Sequence, residues 1–333
     1  MSEAEPGKTA GLDDGDSSGP VLSAIVVVPH SYDSVRDTMR HLRAQTAARQ
    51  MEVIIVAPSC PGVGLDETDL ACFHGWDVVE IEKVTSIARG FVAGIRRARA
   101  PVVALTEDHS FPDARWAESL ISAHRQPWAA VGPSMRNGNP ETTLSWADFY
   151  LAYGEWSQPL SSGPMRHLPG HNSSYKRDIL LSYGRRLEDF MEAESVFHRH
   201  LRARGHELWL EAGTCTTHLN FSTWSSWVPA QYYNGRQFAA AWSQEWSFPR
   251  RLLFTVASPL IPFIRLWQVQ KQVRRGGARR RLIRLLPYLL VGLVANGLGH
   301  MTGYAAGFGD CRDKVFKYEF NRVKSALPGR PEI

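Results

Sequence analysis

Three adjacent polar residues, Glu107, Asp108 and His109, directly follow the apolar run VVALT. If that run is a β-strand, side chains at positions i and i+2 beyond it point the same way. The carboxylate of Glu107 and the imidazole of His109 could then hold a divalent cation that bridges two phosphates. A polar turn after a strand would show the same three residues, so the triplet alone leaves both interpretations open.

The elements that must position this triplet alternate between strand and helix patterns over about a hundred residues. The run VLSAIVVV (21–28) is short and β-branched, which is typical of a strand buried on both faces. Further strands are predicted at 53–56, 77–81 and 102–105. Ile87, Phe91 and Ile95 share one face of an intervening helix. This alternation predicts an α/β fold with a mostly parallel sheet, whose ligands bind beyond the carboxyl ends of the strands.

The absence of certain motifs argues against dinucleotide binding, P-loop nucleotide binding and structural zinc or disulfide sites. The turn after the first strand reads PHSYDS, without the glycines of a dinucleotide site, and the chain has no GxxxxGK[ST] loop. The four cysteines (Cys60, Cys72, Cys215 and Cys311) are far apart and form no CxxC pair. This spacing argues against a disulfide scaffold or structural zinc site and fits a reducing compartment.

Composition separates the two ends of the chain from its middle. The chain has 333 residues, of which 44% are hydrophobic and 21% charged, so a packed core is expected. Residues 1–20 hold five acids and one base and no apolar segment. They predict a disordered acidic leader and not a signal peptide.

The C-terminal region, 241–333, carries long uncharged runs beside a basic block. Residues 252–264 are uncharged but too short to span a bilayer as a straight helix. Residues 265–284 hold eight bases and no acid, and residues 285–309 are again uncharged. This pattern predicts a helical membrane-associated region whose basic block faces the cytoplasm, with 285–309 either crossing the bilayer or lying in its interface. A glycine-rich hairpin packed on the rest of the protein is the alternative. Apolar flanks around the basic block disfavour nucleic-acid binding.

The order of motifs along the chain resembles family 2 glycosyltransferases of the GT-A fold. The segments that carry the resemblance are SIARGFVAGIRRARAPVVALTEDH, Pro112 with Trp116, GHNSSYKRDIL (170–180) and EAESVFHRHLRARG (192–205). The resemblance covers about 21–240 and implies a GT-A domain there. It also implies inverting transfer of a sugar from a nucleotide-diphosphate donor to a hydroxyl acceptor, with Mn²⁺ or Mg²⁺ as cofactor. Together with the C-terminal region, it points to a lipid-linked or cell-envelope glycan acceptor at the cytoplasmic face of the cell membrane. A homo-oligomer is compatible with the sequence.

The resemblance assigns roles to individual residues. The family's DxD motif falls on Glu107, Asp108 and His109, with His109 in place of the second acid. Glu107 and His109 are then metal or diphosphate contacts, and Asp108 contacts the ribose or the metal. The catalytic base falls on Glu194, with Glu192 as the fallback. Other positions that the resemblance or the strand ends suggest are His218 for metal, His171 and Asn172 for the acceptor, and Pro29, Ser59, Arg89 and Arg236 for the donor.

The residues around Glu194 support its assignment independently. Glu194, Phe197 and Leu201 would lie on one helical face, so the carboxylate sits at the edge of an apolar stripe. An acid placed at a helix N-terminus because the helix dipole favours it would look the same.

Two other functions remain open. The second strand is followed by Ala57-Pro58-Ser59, where the family usually has an acid that reads the nucleotide base. That departure and the altered DxD motif, with His109 in place of its second acid, favour a non-catalytic membrane-bound partner with the same fold. A nucleotidyltransferase is a third option, but PHSYDS is not the Gly-rich signature such enzymes usually carry.

Overall fold

The computed structural model describes residues 19–28, 31–58, 64, 67–82, 86–277 and 279–327. Most of the predicted acidic leader, together with Pro29, Ser59 and Cys60, lies outside the described residues. The last six residues of the chain lie outside them as well.

The described residues form a nine-stranded mixed sheet with the order β3-β2-β1-β4-β8-β6-β9-β5, and β7 pairs with β9. The parallel registers are long and the antiparallel ones span two or three residues each. The strands are β1 (Leu22–Val27), β2 (Met51–Ala57), β3 (Gly75–Glu80), β4 (Val102–Thr106), β5 (Ser110–Pro112), β6 (Ala130–Asn137), β7 (Gly163–Pro164), β8 (Ser174–Lys176) and β9 (Leu208–His218). The predicted α/β fold with a mostly parallel sheet is confirmed, and its four predicted strands are β1 to β4 within two residues at each end.

Helices cover both faces of this sheet. They are α1 (Arg36–Arg43), α2 (Ile87–Arg97), α3 (Trp116–Ala123), α4 (Thr143–Ala152), α5 (Arg177–Leu181), α6 (Leu187–Met191) and α7 (Glu194–Ala203). Successive residues of β1 point to opposite faces. Val26 therefore joins a core with Met39 of α1, whereas Ile25 joins a core with Phe91 of α2. Phe197 of α7 belongs to the second core, so its apolar stripe packs under the sheet.

The C-terminal part of the chain is helical: α8 (Trp224–Trp242), α9 (Phe248–Ala257), α10 (Ile261–Arg275), α11 (Arg279–Ala306), α12 (Cys311–Glu319) and α13 (Arg322–Ala326). A short 3-10 turn joins α9 to α10, so that they continue one another. Two stretches, Phe248–Arg275 and Arg280–Ala306, have the length and hydropathy (1.5 and 1.6) that membrane-crossing helices also have.

Helix α11 lies between α8 on one side and the α9–α10 helix on the other. A Cβ atom at Gly299 would collide with the carbonyl oxygen of Tyr232, and one at Gly303 with that of Arg236. Glycine at these positions therefore lets the backbones of α8 and α11 touch. On the other side, Gly297 approaches Pro262, and Arg251 donates to the carbonyl oxygen of Tyr304 at 2.9 Å. These contacts make α9–α10 and α11 an antiparallel hairpin laid along α8.

Candidate active site

The polar triplet lies buried at the carboxyl end of β4. Glu107, Asp108 and His109 are 4%, 7% and 1% exposed. Nε2 of His109 is 3.8 Å from Oε2 of Glu107, so the i and i+2 side chains do reach the same point. Asp108 Oδ1 lies 2.5 Å from Nδ1 of His109, so Asp108 orients the imidazole.

His218 completes a group of three candidate metal ligands. It is the last residue of β9 and pairs with Ser110 of β5, which brings it beside Glu107 from 111 positions further along the chain. Its Nε2 is 3.5 Å from Oε2 of Glu107, and one ligand atom from each of Glu107, His109 and His218 lies within 4.8 Å of the others.

The donor atoms of this group fit a divalent cation. The Nε2 atoms of His109 and His218 are buried and have no hydrogen-bond partner among the described residues. Nδ1 of His218 is 3.1 Å from Oδ1 of Asn220, an interaction that leaves Nε2 aimed at Glu107. Burial lowers the pKa of His218 to about 4 despite its contact with Glu107. A neutral imidazole is the form that binds metal.

Glu107 is held by neutral donors as well as by histidines. Its Oε2 accepts from Nδ2 of Asn172 at 2.7 Å and from Oγ of Ser110 at 3.2 Å. Burial alone would raise the pKa of Glu107, but the neighbouring His109, His171 and His218 outweigh it and hold the pKa well below its usual value. The carboxylate is therefore ionised and fixed in orientation.

The segment Gly170–Asn172, a 3-10 turn before β8, links this group to a second carboxylate. Nδ1 of His171 lies 3.2 Å from Oε1 of Glu107, and its Nε2 contacts Oε1 of Glu194. A Cβ atom at Gly170 would lie 2.8 Å from Cδ of Glu194, so glycine makes room for that carboxylate. Burial would lower the pKa of His171, but Glu194 and Glu107 raise it well above its usual value. One imidazolium thus bridges the two acids.

Glu194 is the first residue of α7, and its side chain is 13% exposed. An acid at the first position of a helix is also stabilised by the helix dipole, so this position agrees with the alternative interpretation as well. Burial raises the pKa of the neighbouring Glu192, the predicted fallback. Both acids line the same cavity.

That cavity, of about 230 Å³, has one wall that the sequence reasoning missed. Opposite Glu107, His171 and Glu194, it is lined by residues of α8 (Asn234, Gln237, Phe238) and by C-terminal residues Arg312, Val315, Phe316, Glu319 and Arg322. Tyr153, also missed, lies with its ring centroid 4.3 Å from that of His218. A sequence signal for the C-terminal wall was the return of acids after residue 309.

A buried ion network holds this wall in place. Arg322, 6% exposed, donates to Oδ2 of Asp148 at 3.1 Å and to Glu319 at 2.7 Å. Asp148 also accepts from the ring nitrogen of Trp227 at 2.9 Å. Helix α13 is thereby joined to α4 and α8, next to the cavity.

The two arginines predicted for the diphosphate, Arg89 and Arg236, are not among the residues that line this cavity. Arg89 lies 3.8 Å from Glu188 with 57% of its side chain exposed. Arg236 donates to the carbonyl oxygen of Gly307 at 3.0 Å and so joins α8 to the end of α11. Among the described residues, Arg312 and Arg322 are the arginines that line the cavity.

Comparisons with known proteins find similarity in structure alone. No family model and no curated protein sequence matches the chain. Residues 1–349 of S. aureus TarS are 12% identical with a TM-score of 0.46, covering 93% of this chain and 92% of that one. A mannosyltransferase from Pyrobaculum calidifontis in complex with GDP-Man and Mn²⁺ is 14% identical, also with a TM-score of 0.46, covering 94% and 89%. TarS 1–349 in complex with UDP is 13% identical with a TM-score of 0.45, covering 86% and 90%.

Proposed function

We propose that this chain is a divalent-cation-dependent glycosyltransferase that moves a sugar, with inversion, from a nucleotide-diphosphate donor to an acceptor hydroxyl. One observation carries the proposal. The buried group of Glu107, His109 and His218 is joined through His171 to a second carboxylate, Glu194, and one cavity is lined by Glu107, His171 and Glu194. A cation site and a separate base beside the same cavity are what a single displacement at an anomeric carbon requires.

Glu107, His109 and His218 would hold the cation, Mn²⁺ or Mg²⁺. A bound cation would neutralise charge on the departing diphosphate. The chain's own residues orient that group: Asn172 and Ser110 donate to Glu107, and Asp108 contacts the far nitrogen of His109. Such supporting contacts set how well a metal group binds.

Glu194 would take the proton of the acceptor hydroxyl. The hydroxyl oxygen forms a bond to the anomeric carbon while the bond from that carbon to the diphosphate breaks, and the proton passes to the Glu194 carboxylate. His171 contacts Oε1 of Glu194, so Oε2 is the oxygen left for the acceptor. His171, which lines the cavity, would then contact the acceptor, and Asn172 of the same segment would support the site through its hydrogen bond to Glu107.

The base assignment is tested by Glu194→Gln. Removing a general base costs about 10²- to 10⁴-fold in turnover, whereas donor binding should survive because the cation group is untouched. A thermal-shift screen with UDP, GDP, dTDP and CDP, with and without Mn²⁺, measures binding and identifies the donor class. Glu245→Gln, at a side chain that is 83% exposed, is the matched control. Unchanged turnover in Glu194→Gln would exclude Glu194 as the base.

The second candidate is a non-catalytic partner with the same fold. It is favoured by His171, which occupies both carboxylates, and by the absence of an acid at the end of β2, which finishes at Ala57. A chain of this kind should show no Mn²⁺-dependent stabilisation by any of the four nucleotides. Stabilisation by one nucleotide that EDTA abolishes would exclude it.

The proposed acceptor is a lipid-linked or cell-envelope glycan at the cytoplasmic face of the cell membrane. Support comes from α8, which lines the cavity through Asn234 and Gln237 while α11, one of the apolar helices, packs on its other side. The acceptor site and the apolar helices are therefore about one helix layer apart, roughly 10 Å.

A further inference from the structure

The exposed large apolar side chains of the described residues are concentrated on one surface. Apart from Trp224, all of them belong to α9, α10, α11 and the turn between α9 and α10. We call this surface the apolar face. It comprises Phe248, Leu252, Leu253, Phe254, Val256, Leu260, Phe263, Ile264, Trp267, Ile283, Leu286, Leu290, Val291, Val294 and Leu298. Contiguous apolar surface on this scale marks an interaction site.

The charged residues of the hairpin itself have a single sign. Residues 246–309 contain ten arginines and lysines and no aspartate or glutamate. Arg250 and Arg251 lie at one end of the hairpin, and most of the others lie around its turn, from Lys271 to Arg284. An apolar surface on helices whose own charged residues are all basic is complementary to an anionic bilayer.

The other side of the hairpin is fastened along its length to α4, to the segment that follows α4, and to α8. Near the turn, Arg275 donates to the carbonyl oxygens of Gly154 at 2.9 Å and Ser157 at 3.0 Å. In the middle, Arg265 donates to that of Leu151 at 2.6 Å. Towards its end, α11 touches α8 at Gly303.

We propose that the apolar face docks α9, α10 and α11 in the plane of an anionic bilayer, without crossing it. A hairpin crossing the bilayer would carry α8 and α4 into the hydrocarbon, or lose the backbone contacts just described. Helix α8 bears Asn234 and Gln237 in the polar cavity, so it belongs in water. This inference concerns attachment only and does not depend on the proposed sugar transfer.

Vesicle sedimentation of the whole chain tests the docking. Phosphatidylcholine vesicles containing phosphatidylglycerol should bind the protein, and pure phosphatidylcholine should bind it at least about tenfold more weakly. Leu253→Glu with Phe263→Glu should reduce binding to the anionic vesicles by about tenfold or more. Both side chains are well exposed, at 65% and 71%, so the fold should survive, which circular dichroism checks. Arg125→Glu, at an exposed position outside the hairpin, makes the same net charge change and should bind like the wild type.

Cysteine labelling distinguishes lying in the plane from crossing. Arg280→Cys places a thiol at the hairpin turn and Arg250→Cys one at the opposite end, both at exposed positions. With protein added to sealed vesicles, a membrane-impermeant maleimide should label both thiols as fast as it does in detergent. The wild-type chain gives the background from its own cysteines.

Four results would overturn the inference. The first is that the protein does not bind anionic vesicles. The second is that Arg125→Glu loses as much binding as Leu253→Glu with Phe263→Glu. The third is that Arg280→Cys is labelled only after detergent is added, which means that the hairpin crosses the bilayer. The fourth is a lipid-free dimer by light scattering that Leu253→Glu with Phe263→Glu dissociates, which means that a second copy covers the face.

Discussion

Replacing Arg322 by methionine removes a buried cation that contacts two acids, Asp148 and Glu319. Arg322 donates to Asp148 at 3.1 Å and to Glu319 at 2.7 Å, and its guanidinium lies 4.0 Å from the centroid of the Phe221 ring. Methionine keeps an apolar stem of similar reach, so the substitution removes mainly charge and hydrogen bonds. Asp148 and Glu319 then both lose their ion pair with Arg322.

The expected loss is about 3–5 kcal/mol in the free energy of unfolding, because breaking a buried pair leaves an uncompensated charge. The upper part of that range applies because two carboxylates lose the same partner. Burial raises the pKa of Asp148 even with Arg322 in place. Burial would also raise that of Glu319, but Arg322 outweighs it. The double variant Asp148→Asn with Arg322→Met should recover part of the loss, since the neutral amide of the new side chain can still accept from Trp227.

Denaturant-induced unfolding of the full chain measures this effect. Arg115→Met, which removes an exposed ion pair with Glu118, is the control and should leave the free energy of unfolding nearly unchanged. Since Arg322 also lines the cavity, its loss should weaken stabilisation by nucleotide and Mn²⁺. An Arg322→Met variant within about 1 kcal/mol of the wild type would refute the reasoning that this network holds the C-terminal wall.

The remaining predictions concern the site and acid stability. Gly170→Ala places a Cβ 2.8 Å from Cδ of Glu194 and should lower turnover at least about tenfold. Gly163→Ala is the control, because a Cβ there meets open space and should leave turnover unchanged. Equal turnover of the two variants would contradict the close approach of Gly170 to Glu194. His218→Ala should weaken Mn²⁺ binding at least about tenfold, as followed by electron paramagnetic resonance, and unchanged affinity would remove His218 from the group. Burial, with help from Lys176, lowers the pKa of His124 to about 4. The unfolded chain therefore binds this proton first, and stability falls as pH drops below about 6.5, by about 2 kcal/mol at pH 5. In unfolding experiments at pH 7 and pH 5, His124→Gln should lack this part of the loss in the free energy of unfolding. A loss as large as that of the wild type would contradict the role of His124.

Local patterns were enough to predict the fold of the first third of the chain. The strands β1 to β4 and helix α2 follow from apolar runs and helical spacing, since these depend on chain geometry over a few residues. The same reasoning placed Glu107 and His109 together, because positions i and i+2 beyond a strand share a face. It also placed Phe197 and Leu201 in the core beneath Glu194.

Long-range placement of individual site residues was beyond such patterns. His218 reaches Glu107 only because β9 pairs with β5, a register set by the whole sheet. The resemblance had suggested His218, but nothing in its local sequence shows a neighbour 111 positions earlier. Arg236 stays a predicted donor contact, and nothing in its local sequence indicates the hydrogen bond to the carbonyl oxygen of Gly307 that the structure shows.

The sequence by itself determined the α/β alternation, the acid-x-His group and the presence of a basic, apolar C-terminal region. Only the tertiary structure decided that α12 and α13 return to wall the cavity, and that the two apolar helices lie along α8. The composition of a segment shows how apolar it is. Where that segment packs in the fold depends on which other surfaces come close enough to be buried against it. Here the glycines of α11 permit that approach, and the buried Asp148–Arg322 pair closes the chain over the site.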